Sequence, residues 1–371
     1  MPAAESFRDP ELARALVGRI RALAGRLGRP TAFMEVCGTH TVAIARSGLE
    51  GLLPEGLRLV SGPGCPVCVT PQGEIERAVA AAALPGVALV TFGDMLRVPA
   101  RGGSLETARS AGGDVRMAYS PREALEMARA EPGRQFIFVG VGFETTIPAF
   151  AATVLEARGS GVGNFSVLPG FRLVPPALAA VLASGPALDG FILPGHVSAI
   201  LGTEPYEVIP ASGRAAVVAG FEPLDLLLGV EMLLAQLAEG RPRVEIAYRR
   251  AVRPEGNPQA RRLTELVFEP ADAVWRGIGT LPASGLAFRS EFRDFDAAAR
   301  FGLPTPEVPE PDGCRCGEVL TGHVTPRDCP LFGNVCTPED PVGPCMVSSE
   351  GCCAARYRYG PEGASAGRSG R

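Results

Sequence analysis

A chain of 371 residues, 46% apolar and 20% charged with a formal net charge of −4, has the composition of an ordinary globular protein of two or three domains and gives no reason to expect nucleic acid or an anionic membrane as partner. All 36 basic residues are arginine. Without lysine there is no P-loop amine, no Schiff-base amine for pyridoxal phosphate and no kinase-type lysine, so chemistry of those kinds would have to come from a partner.

Residues 1–29 mix Glu5, Asp9 and Glu11 with six arginines and lack an unbroken apolar core. They read as an amphipathic helix packing on the other domains rather than as a secretory signal. From about 30 to 248, short apolar runs at 32–36, 57–61, 87–92, 136–141, 191–194 and 215–220 alternate with helix-like segments. This predicts an α/β fold, with strands buried on both faces and joined by helical crossovers in largely parallel sheets. Two related modules are expected, 30–120 and 121–245, each with flanking helices around its own core. The most apolar stretch, 78–92, is interrupted by Pro85-Gly86 and is too short to cross a bilayer, so a cytoplasmic protein is expected. Beyond Arg249 the periodicity weakens. Pro304, Pro306, Pro309 and Pro311 mark a stiff connector within a smaller cysteine-rich C-terminal domain, 246–360. The last residues, 361–371, are mostly Gly, Ser, Ala and Arg and read as a disordered tail.

Open parallel sheets place their working groups at the carboxyl ends of their strands. Cys37 and His40 follow the first run, Cys65 and Cys68 the second, Asp94 the third, Glu144 the 136–141 run and His196 the 191–194 run. Cys65-Pro-Val-Cys68, entered through Gly62 and Gly64, has thiol–disulfide geometry, although C-x-x-C also serves as half of a split zinc site. Cys37 and His40 are spaced to share one ligand or to act as nucleophile and base, against the bland reading of a buried structural thiol. Asp94, Glu144 and His196 are each as readily loop or helix-cap residues.

Seven of the ten cysteines fall between Cys314 and Cys353, with only His323 among them as an imidazole. In a reducing compartment that density points to metal, and ligand type leaves an all-thiolate zinc site and an iron–sulfur cubane both open.

The segments MEVCGTHT (34–41), SGPGCPVC (61–68), FGDMLRVP (92–99), GFETT (142–146), GHVS (195–198) and CMVSSEG (345–351) together resemble the HypD family of NiFe hydrogenase maturation factors. The resemblance implies an assembly scaffold, rather than a conventional turnover enzyme, on which an Fe(CN)2CO centre is built with a small HypC-like chaperone and a cyanide-delivering HypE-like protein. It implies that Cys37 helps hold the nascent iron with His40 beside it, that Cys65 and Cys68 are a redox-active pair, and that Asp94, Glu144 and His196 line the cleft. It also maps the pattern C-x14-C-x6-C-x16-C onto Cys314, Cys329, Cys336 and Cys353 as ligands of a 4Fe–4S cluster, from which a route of electrons to the C-x-x-C pair is our hypothesis. Cys316 and Cys345 match a second thiol pair and Cys352 is an extra residue beside the last ligand. Ala100 stands where the resemblance suggests glycine.

Overall fold

The computed structural model describes residues 7–184 and 187–360, and the tail expected at 361–371 lies outside them. Among the described residues the strands are β1 (Thr31–Glu35), β2 (Leu57–Ser61), β3 (Val87–Thr91), β4 (Val115–Met117), β5 (Gln135–Gly142), β6 (Phe165–Phe171), β7 (Gly190–Pro194), β8 (Ala215–Ala219), β9 (Val244–Ile246), β10 (Phe268–Trp275) and β11 (Gly279–Phe288). They build a five-stranded sheet in the order β2-β1-β7-β8-β9, a four-stranded sheet in the order β4-β3-β5-β6, and the hairpin β10-β11. Every pairing within the two larger sheets is parallel. The α/β expectation with largely parallel sheets holds, and each of the six apolar runs is a strand.

The sheets do not follow the expected division at residue 120. The chain leaves the first sheet after β2, builds the whole second sheet, and returns at β7 to pair beside β1. A buried apolar run announces a strand, but its neighbour is chosen by contacts remote in sequence. Nor are the cores separate. Residues alternate along each strand, so Met34 and Ile137 enter one shared core between the sheets while Phe33 and Phe138 face outward into two others. The shared core also contains Cys65, Cys68, Cys316, Cys345 and Cys352.

Helix α1 (Pro10–Leu27) starts where Asp9 accepts from the Glu11 and Leu12 amides and stops at Gly28, which takes the left-handed conformation at φ 62°. It buries Leu16, Val17 and Ile20 against the outer face of the five-stranded sheet and the helix Pro223–Glu239. The hairpin was not expected from the sequence, because Glu269, Pro270 and Asp272 interrupt the apolar pattern of β10. It packs on the outer face of the four-stranded sheet through Phe268 and Phe288. Thus the first part of 246–360 belongs to that core, and the cysteine-rich segment proper begins near Cys314. Ala100 bridges to Gly103 and its backbone is not left-handed, so alanine fits there. No described helix is long and apolar enough to cross a membrane.

Candidate functional site

The first two motif loops are built against each other. After β1, Cys37 stands at the start of α2 (Gly38–Ser47) and after β2, Cys65 stands at the start of the short α3 (Pro66–Val69). Gly38 donates its N–H to the Gly64 carbonyl at 2.8 Å. A Cβ on Gly64 would overlap the Cys37 backbone, so only glycine lets the two chains approach this closely. Cys65 and Cys68 are joined in a disulfide within α3, with both sulfurs buried.

A third loop, contributed by the cysteine-rich segment, closes over these two. Ser348 Oγ and the N–H and Oγ of Ser349 donate to Asp94 Oδ2 at 3.0, 2.8 and 2.8 Å. Cys65 Sγ lies 3.4 Å from Ser348 Oγ, and Thr39 Oγ1 donates to Glu350 Oε1 at 2.6 Å. One network therefore joins the loops of Cys37, the Cys65–Cys68 disulfide and Asp94. Glu35 lies beneath it, accepting from the Cys37 amide at 3.1 Å and from Thr41 Oγ1 at 2.6 Å.

Burial sets the protonation of this site. It pushes the Cys37 thiol up to about 12, with the Glu350 carboxylate adding to the effect, and lifts Glu35 to about 8. It drives His40 down to about 4, leaving a neutral imidazole at ordinary pH. His40 Nε2 is 3.0 Å from the Gly220 carbonyl, which can only accept. That nitrogen carries the proton, and the buried Nδ1, which has no hydrogen-bond partner among the described residues, keeps its lone pair. His40 and His196 flank the Phe221 ring, with centroids 4.7 and 4.0 Å from it.

Glu144 is placed differently. Its Oε1 accepts from the Val174 amide at 2.8 Å, so it caps the helix Val174–Ser184 rather than the helix that follows it in sequence. Its Oε2 is buried with no hydrogen-bond partner among the described residues, and burial lifts the carboxyl to about 7. Among the described residues it makes no hydrogen bond to the other six candidates.

Farther along, Cys314, Cys316, Cys329, Cys336, Cys345 and Cys353 line one cavity of about 20 Å³ together with Leu331, Phe332 and Met346. Cys352 instead lines a separate cavity of about 400 Å³ with Glu35 and His323. Among the described residues no group of three or more His, Cys, Asp and Glu side chains is arranged to hold a metal ion as it stands. The fit to a cluster is one of donor chemistry, since sulfur is the only ligating atom type around the smaller cavity, within an apolar shell. Burial and the neighbouring thiols push Cys314 up to about 12.

Sequence reasoning missed Glu35, Phe221 and the roles of Ser348, Ser349 and Glu350. The hydroxyl–hydroxyl–carboxylate run before Cys352 was a legible signal, as was a carboxylate ending the otherwise apolar β1. Phe221 carried no such signal.

A family model, HypD, described as the hydrogenase formation hypA family, matches residues 11–360. The hydrogenase expression/formation protein HupD of Azotobacter chroococcum mcd 1 is 49% identical, covering 96% of this chain and 96% of its own. The hydrogenase maturation factor HypD of Cupriavidus necator is 46% identical over 96% of each chain. That of Escherichia coli K12 is 44% identical over 96% of this chain and 97% of its own. Matches that run from α1 to the end of the cysteine-rich segment, over the same loops that the hydrogen-bond network joins, place this chain in the HypD family of hydrogenase maturation factors.

Proposed function

We propose that the chain is a redox-active scaffold for NiFe hydrogenase maturation, on which a cargo iron carrying cyanide and carbonyl ligands is assembled. The observation that carries this reading is the backbone contact between the Cys37 and Cys65 loops, which brings the loop of a single thiol against that of a disulfide pair under one hydrogen-bond network. Cys37 is the group that takes the cargo iron, with His40 and His196 on either side of Phe221 shaping the wall. A thiol held near 12 binds metal only as it gives up its proton, so loading of the cargo is coupled to proton release. The Cys65–Cys68 disulfide accepts two electrons and two protons to give two thiols, and returns them on re-oxidation.

Cys314, Cys329, Cys336 and Cys353 are the residues that hold a 4Fe–4S cluster, which supplies low-potential single electrons when bound. Asp94 holds Ser348 and Ser349, and thereby the segment bearing those cysteines, against the cleft. A small HypC-like chaperone and a HypE-like cyanide donor are the partners that deliver ligands and remove the product.

The test is anaerobic copurification with the two partners, read together with hydrogenase activity in a strain lacking its own copy of this protein. Cys37→Ala should abolish maturation and strip cyanide-bearing iron from the complex, while leaving iron and sulfide in the protein itself. Cys65→Ala should abolish maturation with cargo binding retained. Full maturation by either variant would overturn the scaffold reading. A wild type that is colourless with one zinc per chain would favour a zinc-stabilised binding module, and disulfide turnover without any partner would favour a free-standing thiol oxidoreductase.

A further inference from the structure

The end of β10 and the turn that follows it carry Trp275 and Arg276 into the interior of the molecule. Arg276 is only 2% exposed, and a guanidinium so buried is destabilising unless charge and hydrogen bonds compensate it. Its backbone N–H donates to Val69 O and its Nε to Thr70 O, both at 2.9 Å, while Nη2 reaches Gln72 Oε1 at 3.3 Å. These acceptors follow directly on Cys68. On the other side, Gly277 meets Gly317 backbone to backbone, so closely that a Cβ on either would overlap the other. This contact brings the hairpin turn against the helix that begins at Cys316, and the guanidinium lies within electrostatic reach of Cys316, Cys345 and Cys314. Its carboxylate partner, Glu310, comes from the proline-rich connector and is 40% exposed, so solvent screens it. Trp275 fixes the turn, donating Nε1–H to Ser284 Oγ at 2.9 Å and stacking on Phe143.

We propose that Arg276 is the fixed counter-cation of the cysteine-rich centre, a buried positive charge clamped between the loop that follows Cys68 and the thiols of Cys314, Cys316 and Cys345. It touches no cargo and is a positioning residue. A positive charge held in a low-dielectric interior favours whichever state of a nearby sulfur-ligated centre is more negative. It therefore favours the reduced over the oxidised cluster and retention of a thiolate-bound metal over its loss. Glu310, in contact with the guanidinium and only partly screened by solvent, opposes this effect, so its removal moves the potential the other way.

The inference rests on the reading of these cysteines as a metal-cluster site, and the experiment separates the two. Full-length wild type, Arg276→Gln, Arg276→Lys and Glu310→Gln are purified anaerobically. Each is assayed for iron and sulfide, unfolding midpoint, cluster midpoint potential by EPR-monitored titration, and rate of iron loss to a chelator. At wild-type iron content, Arg276→Gln should shift the potential to more negative values and lose iron several-fold faster, Arg276→Lys should restore most of both, and Glu310→Gln should shift the potential to less negative values. Wild-type potential and iron-loss rate in an iron-replete, folded Arg276→Gln would overturn the proposal. If that variant does not fold, Glu310→Gln decides alone, and an unmoved potential overturns it. If the wild type holds zinc instead of iron and sulfide, the cluster reading fails while the charge argument stands or falls on zinc affinity, which should drop several-fold in Arg276→Gln and would overturn the argument if unchanged.

Discussion

Burial moves two carboxyls, Glu35 and Glu144, and the His40 imidazole toward their uncharged forms, and the effects on stability have opposite signs. Glu144 has its carboxyl raised from 4.5 to about 7. Between those values the folded chain keeps a proton that the unfolded chain has lost, so this contribution is full below about pH 4.5 and is lost as pH rises through 7. His40, lowered from 6.5 to about 4, works the other way, and its contribution is lost as pH falls through that window. Glu144→Gln keeps an acceptor for the Val174 amide and removes the titration. Relative to wild type, the variant should gain on the order of 2 to 3 kcal/mol between about pH 5 and pH 8 in urea unfolding. A wild type and variant with parallel pH profiles would show Glu144 to be solvated. The sequence marked Glu144 as a strand-end carboxylate, but its buried, unpartnered second oxygen depends on the helix Val174–Ser184, which no local pattern announces.

At the level of loops and strands, Gly64 and Gly38 show why the motifs are glycine-rich. Their glycines serve the approach of one loop to another, and Gly64 is where the Cys37 and Cys65 loops touch. Gly64→Ala forces backbone against backbone and should destabilise by about 3 kcal/mol, the upper end for overpacking. Gly163→Ala, whose Cβ meets nothing, should stay within about 0.5 kcal/mol of wild type. Equal thermal shifts for the two would show that the loops relax apart at little cost. Strand legibility followed the same logic of locality. The six apolar runs were readable, whereas β6 was not, since Pro169 and Gly170 read as a break. It tolerates proline as the edge strand of its sheet.

Over the whole molecule, the cysteine-rich segment meets the two sheets through the shared core and through a few polar contacts more than 200 residues apart in sequence. Asp94 follows the four-stranded sheet, Cys65 the five-stranded one, and Ser348 touches both. Asp94→Ala removes three hydrogen bonds to a carboxylate and should cost about 2 to 3 kcal/mol, since much of the network faces solvent. Hydrogen exchange should accelerate over 345–351 with little change in β1 or β5. Unchanged exchange in that loop would show that Thr39 and Glu350 hold it without Asp94.

The α/β class, the positions of Cys37, Cys65, Asp94, Glu144 and His196 after strands, the concentration of thiols near the C-terminus and the family are all legible in the residue order. These follow from local rules: burial on both faces makes a strand apolar, a sharp turn needs glycine, and a parallel strand must end in a loop. Folding in three dimensions alone shows that the chain leaves and re-enters the first sheet, that both sheets share one core, that Ser348 and Ser349 rest on Asp94, and that Arg276 is buried against Thr70 and Gln72. Each depends on contacts between residues hundreds of positions apart, whose energies are set by packing and desolvation in a common interior and leave no periodic trace along the chain.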